Sequence, residues 1–141
     1  MSMIEDMNIG DKYITKSKTI TARDVDTFCQ ANNLNEDLFW SDEAAKAAGL
    51  KGRVVPGAQT LVLSMGLLEE VASGLILAGM DKISFLAPLY PEDEVSVEVE
   101  LLGKKVTSKG DRLFLTYSWV LRNQEGTSVA QGENTECTTK S

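Results

Sequence analysis

The stretch NNLNEDLFWSDEAAK, from Asn32 to Lys46, sets amides, carboxylates and a large aromatic side by side. Asn33 and Asn35 can orient water or a carbonyl, but an amide takes up no proton near neutral pH. Glu36 and Asp37 are the carboxylates that could serve as a base; the same pair also reads as solvated loop charge. Trp40 offers apolar surface and one N–H donor, with Phe39 beside it. Together these two could line a pocket or anchor the segment to a core. Asp42, directly after Ser41, reads first as a helix-start residue. The 141-residue chain contains no histidine, so no side chain titrates near pH 7 unless its pKa is shifted. No metal-ligand spacing is present, and no cofactor is expected.

The bulk numbers narrow the classes. This length suits one domain, spanning residues 1–141, with a core that needs no staples. Hydrophobic residues make up 43% and charged residues 25%, an ordinary globular balance. With 14 basic and 21 acidic side chains the formal charge is -7, which disfavours nucleic acid as a partner. The only basic grouping, Lys104 and Lys105 with Lys109 nearby, reads as a strand end and turn. Cys29 and Cys137 form no CxxC and read as buried thiols in a reducing compartment. The start, MSMIEDMNIGD, has no apolar signal core, and the uncharged run Val54–Leu68 is too short to span a bilayer. A cytoplasmic protein without a membrane partner is the expectation.

The elements that must position these side chains are readable. Residues 12 to 20 predict a first strand. Thr21 with Asp24 forms a capping box for a helix carrying Val25, Phe28 and Cys29, which ends near Asn32 and Asn33. Ser41 caps a short second helix, with Asp42 and Glu43 at its positive end and Gly49 after it. Pro56 opens a long helix that closes at Gly74. Ala58, Leu61, Val62, Met65 and Leu68 mark its apolar face, widened by Leu63 and Leu67, so burial on most sides is predicted. The remainder reads as strand. KISFLAPL stops at Pro88 and Pro91. VSVEVELL alternates through Val95, Val97, Val99 and Leu101. RLFLTYSWVLR alternates through Leu113, Leu115, Tyr117, Trp119 and Leu121. Turns fall at 109–111 and 123–126. TSVAQGENTECT, the last strand, is polar enough for an exposed face or an edge. This order predicts an α+β domain with one long central helix against a strongly curved antiparallel sheet.

TARDVDTFCQANNLN, then SDEAAKAAGLKGRVVPGAQTLVLS, then KISFLAPLYPEDEVSVEVEL resemble, in order, the MaoC-like, (R)-specific enoyl-CoA hydratase family. The resemblance runs from about Tyr13 to Thr138. It implies a hotdog fold, in which an antiparallel sheet wraps a helix. It also implies edge-to-edge dimers, of one chain or of two related ones, with acyl thioesters of coenzyme A or acyl carrier protein in tunnels at the interface. Family members carry Gly-Asp-x-Asn-Pro-x-His-x-Asp before the short second helix. Their Asp and His activate the water that adds to the C=C bond, and backbone N–H groups at the central-helix start hold the thioester oxygen.

This chain departs from that motif. Matching its last Asp to Asp42 puts Trp40 at the His position, Asn35 at the Asp position and Asp37 at the Asn position. Matching from the left puts Asn33 at the Asp position. Neither supplies a histidine, and the usual His-Gly at the central helix is Pro56-Gly57. The Gly57 N–H remains able to hold a thioester oxygen, or the glycine serves close packing. Ser64, two turns on, is a pocket hydroxyl or a small residue at a packed face. Arg53 and Lys51 could meet carrier phosphates at the tunnel mouth. Three readings follow: a hydratase or dehydratase with rebuilt or lost chemistry using Asp37 or Glu36; a non-catalytic acyl-thioester-binding subunit; and a thioesterase, for which Glu69 and Glu70 lie too far along the helix.

Overall fold

The computed structural model describes residues 2–139. Five helices and six strands follow in the order α1 (Met3–Asp6), β1 (Lys12–Ile14), β2 (Lys18–Thr19), α2 (Ala22–Asn32), α3 (Asp37–Trp40), α4 (Asp42–Ala47), α5 (Gly57–Ala72), β3 (Leu75–Phe85), β4 (Glu94–Val106), β5 (Leu113–Arg122) and β6 (Ser128–Thr138). The strands form one antiparallel sheet ordered β1-β4-β5-β6-β3, with β2 also paired to β4. The long helix α5 packs on its concave face, as the sequence predicts.

Strict alternation builds that face. Val95, Val97, Val99 and Leu101 of β4 and Leu115, Tyr117, Trp119 and Leu121 of β5 are all buried. They meet Leu63, Leu68 and Val71 of α5 in one core. Trp119 lies across from Gly132 of β6. A Cβ on Gly132 would stand 2.8 Å from Trp119 Cζ2, so only glycine leaves room for the indole.

Four sequence expectations need correction. The first strand breaks at residues 15–17 into β1 and β2, and Thr15 Oγ1 there accepts the Val97 N–H at 3.0 Å. β3 begins at Leu75, seven residues before the KISFLAPL run. The polar strand β6 is neither edge nor solvent-facing: it sits between β5 and β3 and buries Asn134 and Glu136. The α5 face is also rotated. Gln59, Thr60, Leu63, Ser64 and Leu68 face inward, while Val62 is 56% exposed. A helix apolar nearly all round carries no hydrophobic signal for its own orientation. Its inward hydroxyls are satisfied locally, Thr60 by the Pro56 carbonyl and Ser64 by the Thr60 carbonyl.

The capping box at α2 is present: Thr21 Oγ1 accepts the Asp24 N–H, and Asp24 accepts the Thr21 N–H. These hydrogen bonds from Thr21 hold the Asp24 carboxyl below its ordinary pKa. Thr21→Ala is expected to lower the unfolding free energy by about 1 kcal/mol in urea denaturation. A change close to zero would show that solvent replaces the cap at no cost.

Candidate functional site

Pro56 ends an extended approach and α5 begins at Gly57. No side chain caps this start, so the first N–H groups stay free and carry the positive end of the helix dipole. They border a cleft of about 350 Å³ lined by Leu50, Val54, Gly57, Phe85, Leu86 and Val129, among others. The Phe85 ring lies 3.7 Å from where a Gly57 Cβ would stand. Among the described residues none that lines the cleft is ionisable. A larger groove of about 700 Å³ shares Ala87 and Pro88 with it.

That groove contains Lys51 and Arg53, but also Asp42, Asp93 and Glu125. Two cations against three carboxylates make a poor phosphate cradle. Arg53 is further engaged: Nη2 pairs with Asp26 at 2.6 Å, and the guanidinium lies 5.9 Å from the Trp40 ring centroid.

The segment singled out in the sequence folds as a strap pinned from behind. Asn33 ends α2 in the left-handed conformation with φ 57°, which asparagine tolerates better than most residues. Trp40 Nε1 donates to the Leu34 carbonyl at 2.9 Å, Val54 N to the Leu38 carbonyl, and Arg53 N to Asp42. Trp40 and Asp42 thus have structural partners. Asn33, Asn35, Glu36 and Asp37 are exposed, and none lines the cleft at Gly57. Ser64 is fully buried on the inner face of α5. Of the candidate residues, only Gly57 stands in the cleft, with Asp42, Lys51 and Arg53 in the adjoining groove. Leu34 and Phe39 are the side chains of the strap that pack against the core. They are five residues apart, the spacing of the family's Asp and His. Both alignments of the family motif place other residues, Asn33 or Asn35 and Trp40, at these positions.

A second polar group went unread. Glu136 of β6 is 9% exposed, and its Oε2 has no hydrogen-bond partner among the described residues. Burial pushes its carboxyl above the ordinary range, offset in part by the Tyr117 hydroxyl. Its alternation with Asn134 was the available signal: both occupy the inward phase of β6. Because the folded pKa is raised, Glu136 contributes fully to stability below the unfolded value, and this is lost as pH rises through the folded one. Glu136→Gln should therefore gain stability over the parent as pH rises from 4.5 toward neutrality. The gain should reach about 1–3 kcal/mol, the cost of an unsatisfied buried acceptor. Denaturant midpoints across this window read it out, and a pH-independent difference would contradict it.

Glu70 of α5 is committed elsewhere. It accepts hydrogen bonds from the Tyr13 hydroxyl and the Lys16 N–H. Among the described residues no cluster of three or more His, Cys, Asp or Glu could hold a metal ion. Among the described residues no helix is long and apolar enough to cross a membrane.

A helix start bordering an apolar cleft, on a sheet wrapped round that helix, is the hotdog arrangement. Residues 7–132 match the family model described as FAS1-like, dehydratase domain region, and the chain belongs to this MaoC-like family. It is 31% identical over 135 residues to the uncharacterized protein YdeM of Bacillus subtilis, covering 92% of this chain and 94% of that one. Its fold is similar to that of the MaoC-like dehydratase from Rhodospirillum rubrum, with a TM-score of 0.85 at 24% identity over 99% and 97% of the two chains. It is also similar to the (R)-hydratase from A. caviae involved in PHA biosynthesis, with a TM-score of 0.79 at 24% identity over 95% and 98%. These structural likenesses establish the hotdog fold.

Proposed function

We propose that the protein binds an acyl thioester at the Gly57 end of α5 and does not hydrate it. The observation that carries this reading is the chemistry of the cleft. Free N–H groups at a positive helix end suit a thioester oxygen, and the apolar walls suit an acyl chain. Among the described residues no acid or base lines the cleft, and the one hydroxyl there, Thr60, is spent on the Pro56 carbonyl. Apolar Leu34 and Phe39 at the Asp–His spacing support the same conclusion. The family resemblance implies the substrate class, an acyl group on coenzyme A or acyl carrier protein.

The edge strand β3 exposes Ile76, Leu77 and, at its end, Phe85 and Leu86. Such an edge favours pairing with another sheet. A dimer through β3 follows, either with a second copy or with a related hotdog subunit that brings an intact Asp and His. The exposed edge together with the apolar strap, which carries no Asp and His pair, favours the related subunit.

Calorimetric titration with a short acyl-CoA tests the reading. Saturable binding is expected at one site per chain. A folded protein that binds neither acyl-CoA nor an acyl carrier protein thioester would overturn it.

A further inference from the structure

At the other end of α5 a smaller cavity of about 170 Å³ lies between the helix, β3 and β6. Its walls include Met65, Leu68, Ala72 and Leu77, with Glu69 near the mouth and Glu136 inside. We propose that this cavity binds a short aliphatic ammonium group, with Glu136 as its counter-ion.

Apart from Ser73, whose hydroxyl can accept as well as donate, the polar side chains lining the cavity are carboxylates, which favour a cation. Glu136 is nine-tenths buried; the Tyr117 hydroxyl acts on its carboxylate, while Oε2 has no hydrogen-bond partner among the described residues. A buried acceptor left this way is costly unless a ligand satisfies it. Glu69 adds a second carboxylate, and among the described residues no lysine or arginine lines the walls. The cavity also meets the C-terminal end of α5, whose last turn carries no basic residue. The dipole there is negative, and its last carbonyls are hydrogen-bond acceptors. An oxyanion would be repelled at this end, so thioester chemistry like that proposed at Gly57 does not belong here.

The remaining walls are aliphatic, with the Met65 thioether among them, and they suit an alkyl body. A dry cavity of about 150 Å³ accepts benzene, so roughly six non-hydrogen atoms fit. The Asn134 amide is not available to compete as a donor: Nδ2 is engaged by the Tyr117 oxygen at 3.1 Å and Met65 Sδ at 3.3 Å. An ammonium beside Glu136 draws its carboxyl back to the ionised form. The site is separate from the thioester cleft and stands or falls independently of it.

Methyl NMR of the full chain, titrated with n-butylammonium chloride or n-butanol, tests this. Butylammonium is expected to shift the Met65 and Leu77 methyl resonances saturably, with a dissociation constant of about 1 mM. Butanol should bind about tenfold more weakly, and Glu136→Gln should weaken the amine by a similar factor. Equal binding of the alcohol, absence of a saturable Met65 shift, or an amine affinity unchanged in folded Glu136→Gln would each overturn the assignment. If Glu136→Gln does not fold, the amine-to-alcohol ratio in the parent chain decides alone. Methyls around Gly57, such as those of Leu50 and Val129, report the thioester cleft separately.

Discussion

Trp119→Ala is expected to remove about 3–5 kcal/mol of stability, the range for deleting a buried large aromatic. Three observations place it at the top of that range. Trp119 is fully buried among core side chains from β4, β5 and α5. Its ring occupies the space that Gly132 leaves open, so no neighbouring Cβ stands ready to fill the hole. Its Nε1 donates to Asn134 Oδ1 at 3.0 Å, which the substitution would leave without that donor in the core. A domain of this size has a total stability of about 5–15 kcal/mol, so the variant should be partly unfolded at moderate denaturant. Trp119→Phe keeps most of the ring and should cost less, mainly through the orphaned amide. Urea unfolding of both variants checks the ranking. A loss below about 1.5 kcal/mol for the alanine variant would mean that the core collapses onto the cavity, contrary to the packing described.

Gly57→Leu is expected to lower acyl-CoA affinity by more than about tenfold, equivalent to about 1.4 kcal/mol. The steric argument separates two substitutions at one position. A bare Cβ at residue 57 meets Phe85 at 3.7 Å, an ordinary contact, so Gly57→Ala fits. The longer leucine side chain must extend into the cleft between the helix start, Phe85 and Leu86. Gly57 is exposed, so neither change disturbs the core. Calorimetric titration should show the alanine variant near the parent and the leucine variant severely weakened. Equal binding by all three would move the thioester away from the α5 start.

Much of this was legible because strands announce themselves by alternation. Val95, Val97, Val99 and Leu101, and likewise Leu115, Tyr117, Trp119 and Leu121, are buried as their period demands. The α2 cap and the α5 bounds were readable from Thr21, Asp24, Pro56 and Gly74. The family resemblance, too, rests on motifs visible in the chain. Three things were not readable. The α5 face was hidden because its polar residues Gln59, Thr60 and Ser64 turn inward and bond to backbone carbonyls. The position of β6 was hidden because Asn134 and Glu136 look like surface residues until Trp119 and Tyr117 are seen beside them. The packing of the strap was hidden because its apolar side chains are interleaved with polar ones. In the fold Asn33, Asn35 and Asp37 face solvent, while Leu34 and Phe39 turn toward the core.

Whether the strap and cleft retain any proton transfer is decided by one experiment. A short trans-2-enoyl-CoA is mixed with excess purified protein, and the enoyl-thioester absorbance is followed through a single turnover, with Asp37→Asn in parallel. The structure leads us to expect a bound thioester whose absorbance persists in both proteins. Loss of absorbance in the parent that Asp37→Asn abolishes would contradict the proposal and establish a rebuilt hydratase using that carboxylate.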